Sequence, residues 1–369
     1  MILGRDFAYK SKYLVLLITF FLFIACDTEK PVKSFNERPI ITSSPELPLF
    51  ENRQFVFRPE FQDTDGPDTI VTFHNFPNWL KPDADSIFGV VPDDPFQISF
   101  TVIVSDGIDA DTLVIVAALP KSIIIYGDTR TGHSVHGQII ELIRNNRPDA
   151  VFHVGDLVNN GNSQSDWDIF NEITGELRSE TDFYPALGNH EYQSDLYFDN
   201  FELPNNEQWY SVELHGIHFI VLNTCVDIGP GSEQYLWLVS DLSNIGDNIK
   251  YTAAIFHHPA YNTGQHIEDE KDLREKIMPL FNQYGVDIVF AGHDHNYERS
   301  YCGGIYHIVT GGGGAPLRDQ SRTHPCSQLF LKRYHYCQIL TMHGRMTVMV
   351  FDNYNALIDK FEIFPEIIS

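Results

Sequence analysis

The sequence predicts two folded parts in series: a small all-β sandwich over residues 39–119 and an α/β body over residues 120–369. Length is the first reason, because 369 residues exceed one average domain. The second is the texture before Pro120, where short β-rich runs are separated by Pro, Asp and Gly with no helical spacing. The third is the change after Pro120, where apolar runs alternate with helix-period stretches, as in sheets flanked by helices.

In the first part, Gln54–Phe57, Ile70–Phe73, Ser99–Val104 and Thr112–Val116 are rich in β-branched and aromatic residues, as an antiparallel sandwich requires. Aspartates bunch at Asp63, Asp65 and Asp68 and again at Asp106, Asp109 and Asp111. Such oxygen ligands suit Ca²⁺, but the spacing is not that of an EF-hand, and Asp-Gly clusters are ordinary turn chemistry. In the second part, Ser122–Tyr126 is a near-continuous apolar run, expected of a strand covered on both faces. Val135–Asn146 has helical spacing and stops before Pro148. Further strands are predicted at Val151–Val154, Phe183–Leu187, His218–Asn223, Thr252–Phe256, Val286–Phe290 and Tyr306–Thr310. Helices are predicted at Asp166–Leu177, Ser232–Leu242 and Glu270–Tyr284. The tail reads as antiparallel strands at Gln338–Met342, Met346–Phe351 and Ala356–Ile363.

A 43% hydrophobic content supplies a core, and a formal charge of -25 removes any nucleic-acid-binding surface, since phosphate backbones are gripped through Lys and Arg. At the N-terminus Arg5, Lys10 and Lys12 precede an apolar run from Tyr13 to Ala25. Its 13 residues fall short of the roughly 20 a membrane-spanning helix needs but suit a signal peptide. The run ends Phe23-Ile24-Ala25-Cys26, which resembles a bacterial lipoprotein signal, with residues 1–25 removed and Cys26 lipidated. Residues 26–38 then read as a polar tether. An uncleaved anchor with an incidental cysteine is the alternative. Both place the body outside the cytoplasm, held at a membrane of the cell envelope. Cys225, Cys302, Cys326 and Cys337 show no C-x-x-C spacing. A disulfide among Cys302, Cys326 and Cys337 and four separate thiols are both open readings.

Metal-ligating residue types recur in order along the body. Asp128 stands in Gly127-Asp128-Thr129-Arg130, Asp156 in Gly155-Asp156, and Asn189 in Gly188-Asn189-His190-Glu191. His257 follows in His257-His258-Pro259, then His293 and His295 in Gly292-His293-Asp294-His295. Each group follows a predicted strand, so each belongs at a strand's C-terminal mouth, where open α/β sheets place their chemistry. Two divalent ions held there by N and O ligands suit hydrolysis at phosphorus.

These motifs resemble those of calcineurin-type metallophosphoesterases, in the purple-acid-phosphatase-like branch. Gln234-Tyr235-Leu236-Trp237-Leu238, His257–Thr263 with His266, Gly292–Arg299 and Gly311–Pro316 support the likeness. It implies a four-layer α/β (α+β) sandwich of two mixed sheets flanked by helices. The run Pro77–Leu80, Ile87-Phe88-Gly89 and Val104–Gly107 resembles cadherin-like or Ig-like modules of bacterial surface proteins, for which a protein or glycan partner is the expectation.

The resemblance implies two metal ions (Mn, Fe or Zn) and a phosphate-ester substrate, either mono- or diester. Asp156 would bridge the ions, Asp128 and His295 would hold the first, and Asn189, His257 and His293 the second. Metal-bound hydroxide would attack phosphorus in line. His190 would protonate the leaving group and His266 would contact the phosphate. Glu191 and Asp294 would orient ligand imidazoles, and His258, adjacent on a strand to His257, would point away from it. Gly311–Gly314 would allow close backbone packing.

Two departures stand out. The wider family has His where this chain has Arg130, and purple acid phosphatases place Tyr where this chain has Asn159. Guanidinium has no lone pair for a metal, so Arg130 is expected to clamp phosphate. The competing reading is an envelope adhesion or scaffold lipoprotein with a degenerate phosphatase fold.

Overall fold

The computed structural model describes residues 36–365 apart from 51–52, 66–68, 93–96, 119, 267–269 and 343–344. The signal-like segment, Cys26 and Asp68 lie outside the described residues.

Strands between residues 40 and 118 pack around their own core. One sheet runs Glu46–Pro48, Ala110–Ala118, Ile98–Ser105, Ile70–His74, and a second runs Gln54–Phe57, Ser86–Val90, Lys81–Asp83. Phe100 is the hub, with the rings of Phe57, Phe55 and Phe73 at 5.7, 6.4 and 6.5 Å. Inward and outward residues alternate in Gln54–Phe57, as a two-residue side-chain period demands. The expectation of a purely antiparallel sandwich is corrected in one place: Glu46–Pro48 pairs parallel to Ala110–Ala118. Asp106 makes a turn. Asp106 accepts the N–H groups of Ile108 and Asp109, both at 2.7 Å.

The body holds two mixed sheets. The first has the order Asp182–Pro185, Ala150–His153, Lys121–Tyr126, His335–Met342, Arg345–Asp352, Leu357–Ile363, parallel in its first three strands and antiparallel beyond. The second has the order Tyr210–Leu214, Ile217–Val221, Tyr251–Phe256, Ile288–Ala291, Ile305–Thr310, Tyr297–Cys302, Ser327–Leu331. Ile123 and Ile125 of the first sheet and Phe219, Val221 and Ile255 of the second belong to one buried cluster, so these faces pack on each other. The rings of Phe152 and Phe219 stack across the seam at 4.5 Å. On the outer faces, Ile124 and Tyr126 meet Ile139, Ile140, Ile143 and Leu177 of the helices His133–Asn145 and Gln164–Glu180. Ile220, Ala254 and Phe256 meet Leu238, Leu242 and Phe281 of the helices over the second sheet. Helix, sheet, sheet and helix make four layers.

The expected helix over Glu270–Tyr284 is two helices, Glu270–Lys276 and Met278–Tyr284. Pro279 lacks the N–H that would continue the first, and it suits the opening turn of the second. Among the described residues of the body, three strands and one short helix escape the sequence patterns: Tyr210–Leu214, Tyr297–Cys302, Ser327–Leu331 and Asp195–Asn200. Among the described residues no helix is long and apolar enough to cross a membrane. At the junction of the two parts, a cavity of about 290 Å³ is lined by residues including Arg53, Ser122 and Arg147, but by none of the predicted site residues.

Candidate metal centre

The fold brings the nine predicted body residues into one cleft at the strand mouths. Asp128 lies just past the strand ending at Tyr126, Asp156 past His153, Asn189 past Pro185, His257 directly after Phe256 and His293 past Ala291. Asp128, Asp156 and His293 adopt φ of 58°, 56° and 70°, a left-handed backbone that costs energy for non-glycine residues and gathers at functional sites. Close glycines make the approach possible. A Cβ on Gly188 would lie 2.3 Å from Asp156 N, and one on Gly292 would lie 2.3 Å from Asp128 Oδ2. The run at 311–314 packs closely as expected, since a Cβ on Gly311 would meet Asp294 O at 2.2 Å and one on Gly313 would meet Gly127 O at 2.4 Å.

One group of ligands centres on His257. Its Nδ1–H donates to Val154 O at 2.9 Å, so Nε2 presents a lone pair. That nitrogen faces Asp156 Oδ1 at 3.3 Å, Asn189 Oδ1 at 3.0 Å and His293 Nδ1 at 3.2 Å. Oxygen and lone-pair nitrogen atoms converging in this way are the donor set a divalent ion takes. Burial keeps His257 and His293 well below the usual imidazole range, hence neutral and able to ligate. Burial, reinforced by the charge of Asp156, pushes Asp128 well above the usual carboxylate range, and burial raises Asp156 too. Two buried carboxylates side by side call for a cation. This second set fits the group that the sequence implies.

The other group is arranged differently. His295 Nδ1–H donates to Pro316 O at 2.8 Å, so its Nε2 also presents a lone pair, and burial first of all holds its pKa down to about 4. Here the Arg130 guanidinium lies in the cleft, its side chain only 16% exposed. Nε is 3.3 Å from Asp156 Oδ2, Nη2 is 3.5 Å from His295 Nε2 and Nη1 is 3.5 Å from Asn159 Oδ1. Asp128 accepts the His293 backbone N–H at 3.0 Å and lies 3.6 Å from His295 Nε2. With guanidinium nitrogens so near Asp156 Oδ2, His295 Nε2 and Asn159 Oδ1, a metal ion does not fit among those three atoms while the arginine lies there.

His190 and His266 flank the centre. His190 donates its backbone N–H to Asp156 Oδ1 at 3.1 Å and its Nδ1–H to Asn159 O at 2.7 Å, which turns Nε2 toward Asp156 Oδ2, 3.9 Å away. The His266 ring lies 4.2 Å from that of His293.

Three expectations need correction. Glu191 touches no imidazole. Its carboxylate accepts the backbone N–H groups of Asp156, Leu157, Val158 and Gly188, stapling two ligand loops together, and burial pushes it up to about 8. Asp294 likewise accepts the N–H groups of Gln265 and His266 and the Asn262 amide, fixing the loop that carries His266. His258 does not point away, because the strand ends at Phe256 and the alternation rule stops there. Its ring packs 4.6 Å from that of His293 and its Nδ1 meets Thr224 Oγ1 at 2.9 Å. Sequence reasoning also missed Arg318 as a neighbour of the centre. Its backbone N–H donates to His295 O at 2.9 Å, and Nε lies 3.4 Å from His295 Nδ1. No spacing rule marks a residue delivered by a long loop.

Residues 121–297 match the family model for calcineurin-like phosphoesterases. Purple acid phosphatase 15 of Arabidopsis thaliana is 29% identical over 245 residues, covering 54% of this chain and 46% of that protein. Purple acid phosphatase 18 of the same plant is 32% identical over 185 residues, covering 43% and 42%. The chain thus spans less than half the length of these curated relatives. The structure of purple acid phosphatase PPD1 from yellow lupin seeds superposes with a TM-score of 0.58 at 17% identity, covering 88% of this chain and 74% of that one, a likeness of fold. Residues 121–297 are thus similar to calcineurin-like phosphoesterases, and the relatives named here are purple acid phosphatases.

Proposed function

We propose that this protein hydrolyses phosphate esters by metal-assisted in-line displacement in the cleft around Asp156. The observation that carries the reading is the convergence of Asp156 Oδ1, Asn189 Oδ1 and His293 Nδ1 on the lone pair of His257 Nε2. Those four residues would hold a divalent ion. When bound, it would supply Lewis acidity, polarising the phosphoryl oxygen and making water acidic enough to attack near neutral pH. The resemblance implies another ion beside His295, but the Arg130 guanidinium lies there, so no step is assigned to that ion.

The chain's own groups do the rest. His190 Nε2 faces the cleft because Nδ1–H is engaged by Asn159 O, so the imidazolium form, which carries a second N–H at Nε2, can protonate the leaving alkoxide and return to the neutral ring. The Arg130 guanidinium holds a phosphoryl oxygen through its fork of donors. His266, its ring 4.2 Å from that of His293, contacts the phosphoryl group. Mono- and diesters are both within this chemistry. The N-terminal β part, as an Ig-like module binding protein or glycan, and a lipid anchor at Cys26 in the cell envelope belong to the same proposal. Cys26→Ser should abolish labelling by a radioactive fatty acid.

A second reading, a scaffold with a degenerate phosphatase fold, draws on Arg130 lying where a ligand is expected. The assay that separates them uses purified protein stripped with chelator and reloaded with Mn²⁺, Zn²⁺ or Fe²⁺. It is offered p-nitrophenyl phosphate and the bis ester beside an Asp156→Asn control. Turnover above that control supports the hydrolase. None with any metal supports the scaffold.

A further inference from the structure

We infer that the Arg130 guanidinium takes the place of the first metal ion, so that the centre binds a single ion with a fixed organic cation beside it. This rests on the hydrolase reading above and narrows it, from the two ions of the resemblance to one.

The contrast between the two halves of the cleft carries the inference. Around His257 the nitrogen and oxygen atoms face one another, as the ligands of one divalent ion do. Around His295 the acceptor atoms face Arg130 instead. Asp156 Oδ2, His295 Nε2 and Asn159 Oδ1 each lie beside a different guanidinium nitrogen, at 3.3, 3.5 and 3.5 Å. A metal would need those same atoms at about 2.0–2.2 Å. The guanidinium could not then stay where it is, nor could it serve as a ligand, having no lone pair. Asp156 divides accordingly, with Oδ1 toward the His257 set and Oδ2 toward the guanidinium. It therefore bridges an ion and an arginine.

Arg130 is held in this position from its base. The neighbouring Thr129 donates its backbone N–H to Asp156 O at 3.0 Å, and its hydroxyl donates to Leu157 O at 3.0 Å, beside His153 Nε2 at 3.2 Å. The guanidinium thus grows from the same loops that carry Asp156.

The test is metal stoichiometry, which needs no turnover. The full-length protein is stripped, loaded with Mn²⁺, desalted and measured by elemental mass spectrometry and by electron paramagnetic resonance. About one ion per chain with the six-line spectrum of isolated Mn²⁺ is expected. Arg130→His, which replaces the cation with a neutral nitrogen, should raise the count to about two and produce an exchange-coupled signal. Two ions per chain or a coupled spectrum in the wild type would overturn the inference, as would a folded Arg130→His protein that stays at one. Should that variant fail to fold, the wild-type spectrum decides alone. One bound ion without turnover defeats the hydrolase reading and leaves this inference standing. Two bound ions with turnover do the reverse.

Discussion

Acidification from pH 7 to 5 should strip the fold of the stability that a neutral His335 contributes, and the size can be worked out. Its ring is fully buried. Nδ1–H donates to Arg333 O at 2.9 Å, and Nε2 accepts the Thr310 hydroxyl at 3.0 Å. Burial holds its pKa down to about 4 against a usual 6.5, with the Arg333 carbonyl pulling the other way. The folded value lies below the unfolded one, so the contribution of the neutral ring is fully present above 6.5 and is lost as pH falls toward 4. A gap of 2.5 units (6.5 less 4) corresponds to about 3 kcal/mol at most, of which roughly 2 kcal/mol is lost by pH 5. His335→Gln removes this titration and no other. Urea unfolding of both proteins at pH 7, 6 and 5, under one fixed metal condition, isolates it by difference. The stability advantage of wild type over variant should shrink by about 2 kcal/mol across that range. Parallel pH profiles would refute the argument. The site feels this residue, because its ring packs against Gly312 in the run beneath Asp128, and its backbone N–H donates to Gly312 O at 3.1 Å.

Two further outcomes follow from the same geometry. The Cys302–Cys326 disulfide spans 24 residues, and replacing both by Ser should cost about 3–4 kcal/mol and raise KM, since the closed loop delivers Arg318, Ser321 and Arg322 to the cleft; a melting midpoint indifferent to reductant would contradict this. Gly188→Ala should lower bound metal per chain, because the new Cβ would fall 2.3 Å from Asp156 N and 2.4 Å from Asp156 Oδ1; unchanged metal content by elemental analysis would show that the loops yield without moving the carboxylate.

Much of the body was legible from local pattern. The run Ser122–Tyr126 announces a strand covered on both faces, and all five of its residues are buried. The ligand residues could be picked out because each follows such a run, and a strand's end fixes where the next side chain emerges. Polar, irregular strands were not legible. Tyr297–Cys302 reads Tyr-Glu-Arg-Ser-Tyr-Cys, yet it pairs on both sides, its Glu298 buried by the Thr263 N–H and hydroxyl and the Ser327 hydroxyl. That pairing also chose the disulfide. It sets Tyr301 N on Cys326 O at 2.9 Å, bringing Cys302 and Cys326 together, while Cys337 sits in the other sheet.

What the sequence alone determined is a candidate set of ligands. The order Asp128, Asp156, Asn189, His257, His293, His295 names nitrogen and oxygen ligands, and spacing after strands puts them at one edge. What only the tertiary structure decided is how those ligands are shared. The direction of the Arg130 side chain depends on loops from both sheets closing around it, and so do the placing of Glu191 on four backbone amides and the approach of Arg318. Such contacts join residues distant along the chain, and no local period encodes them.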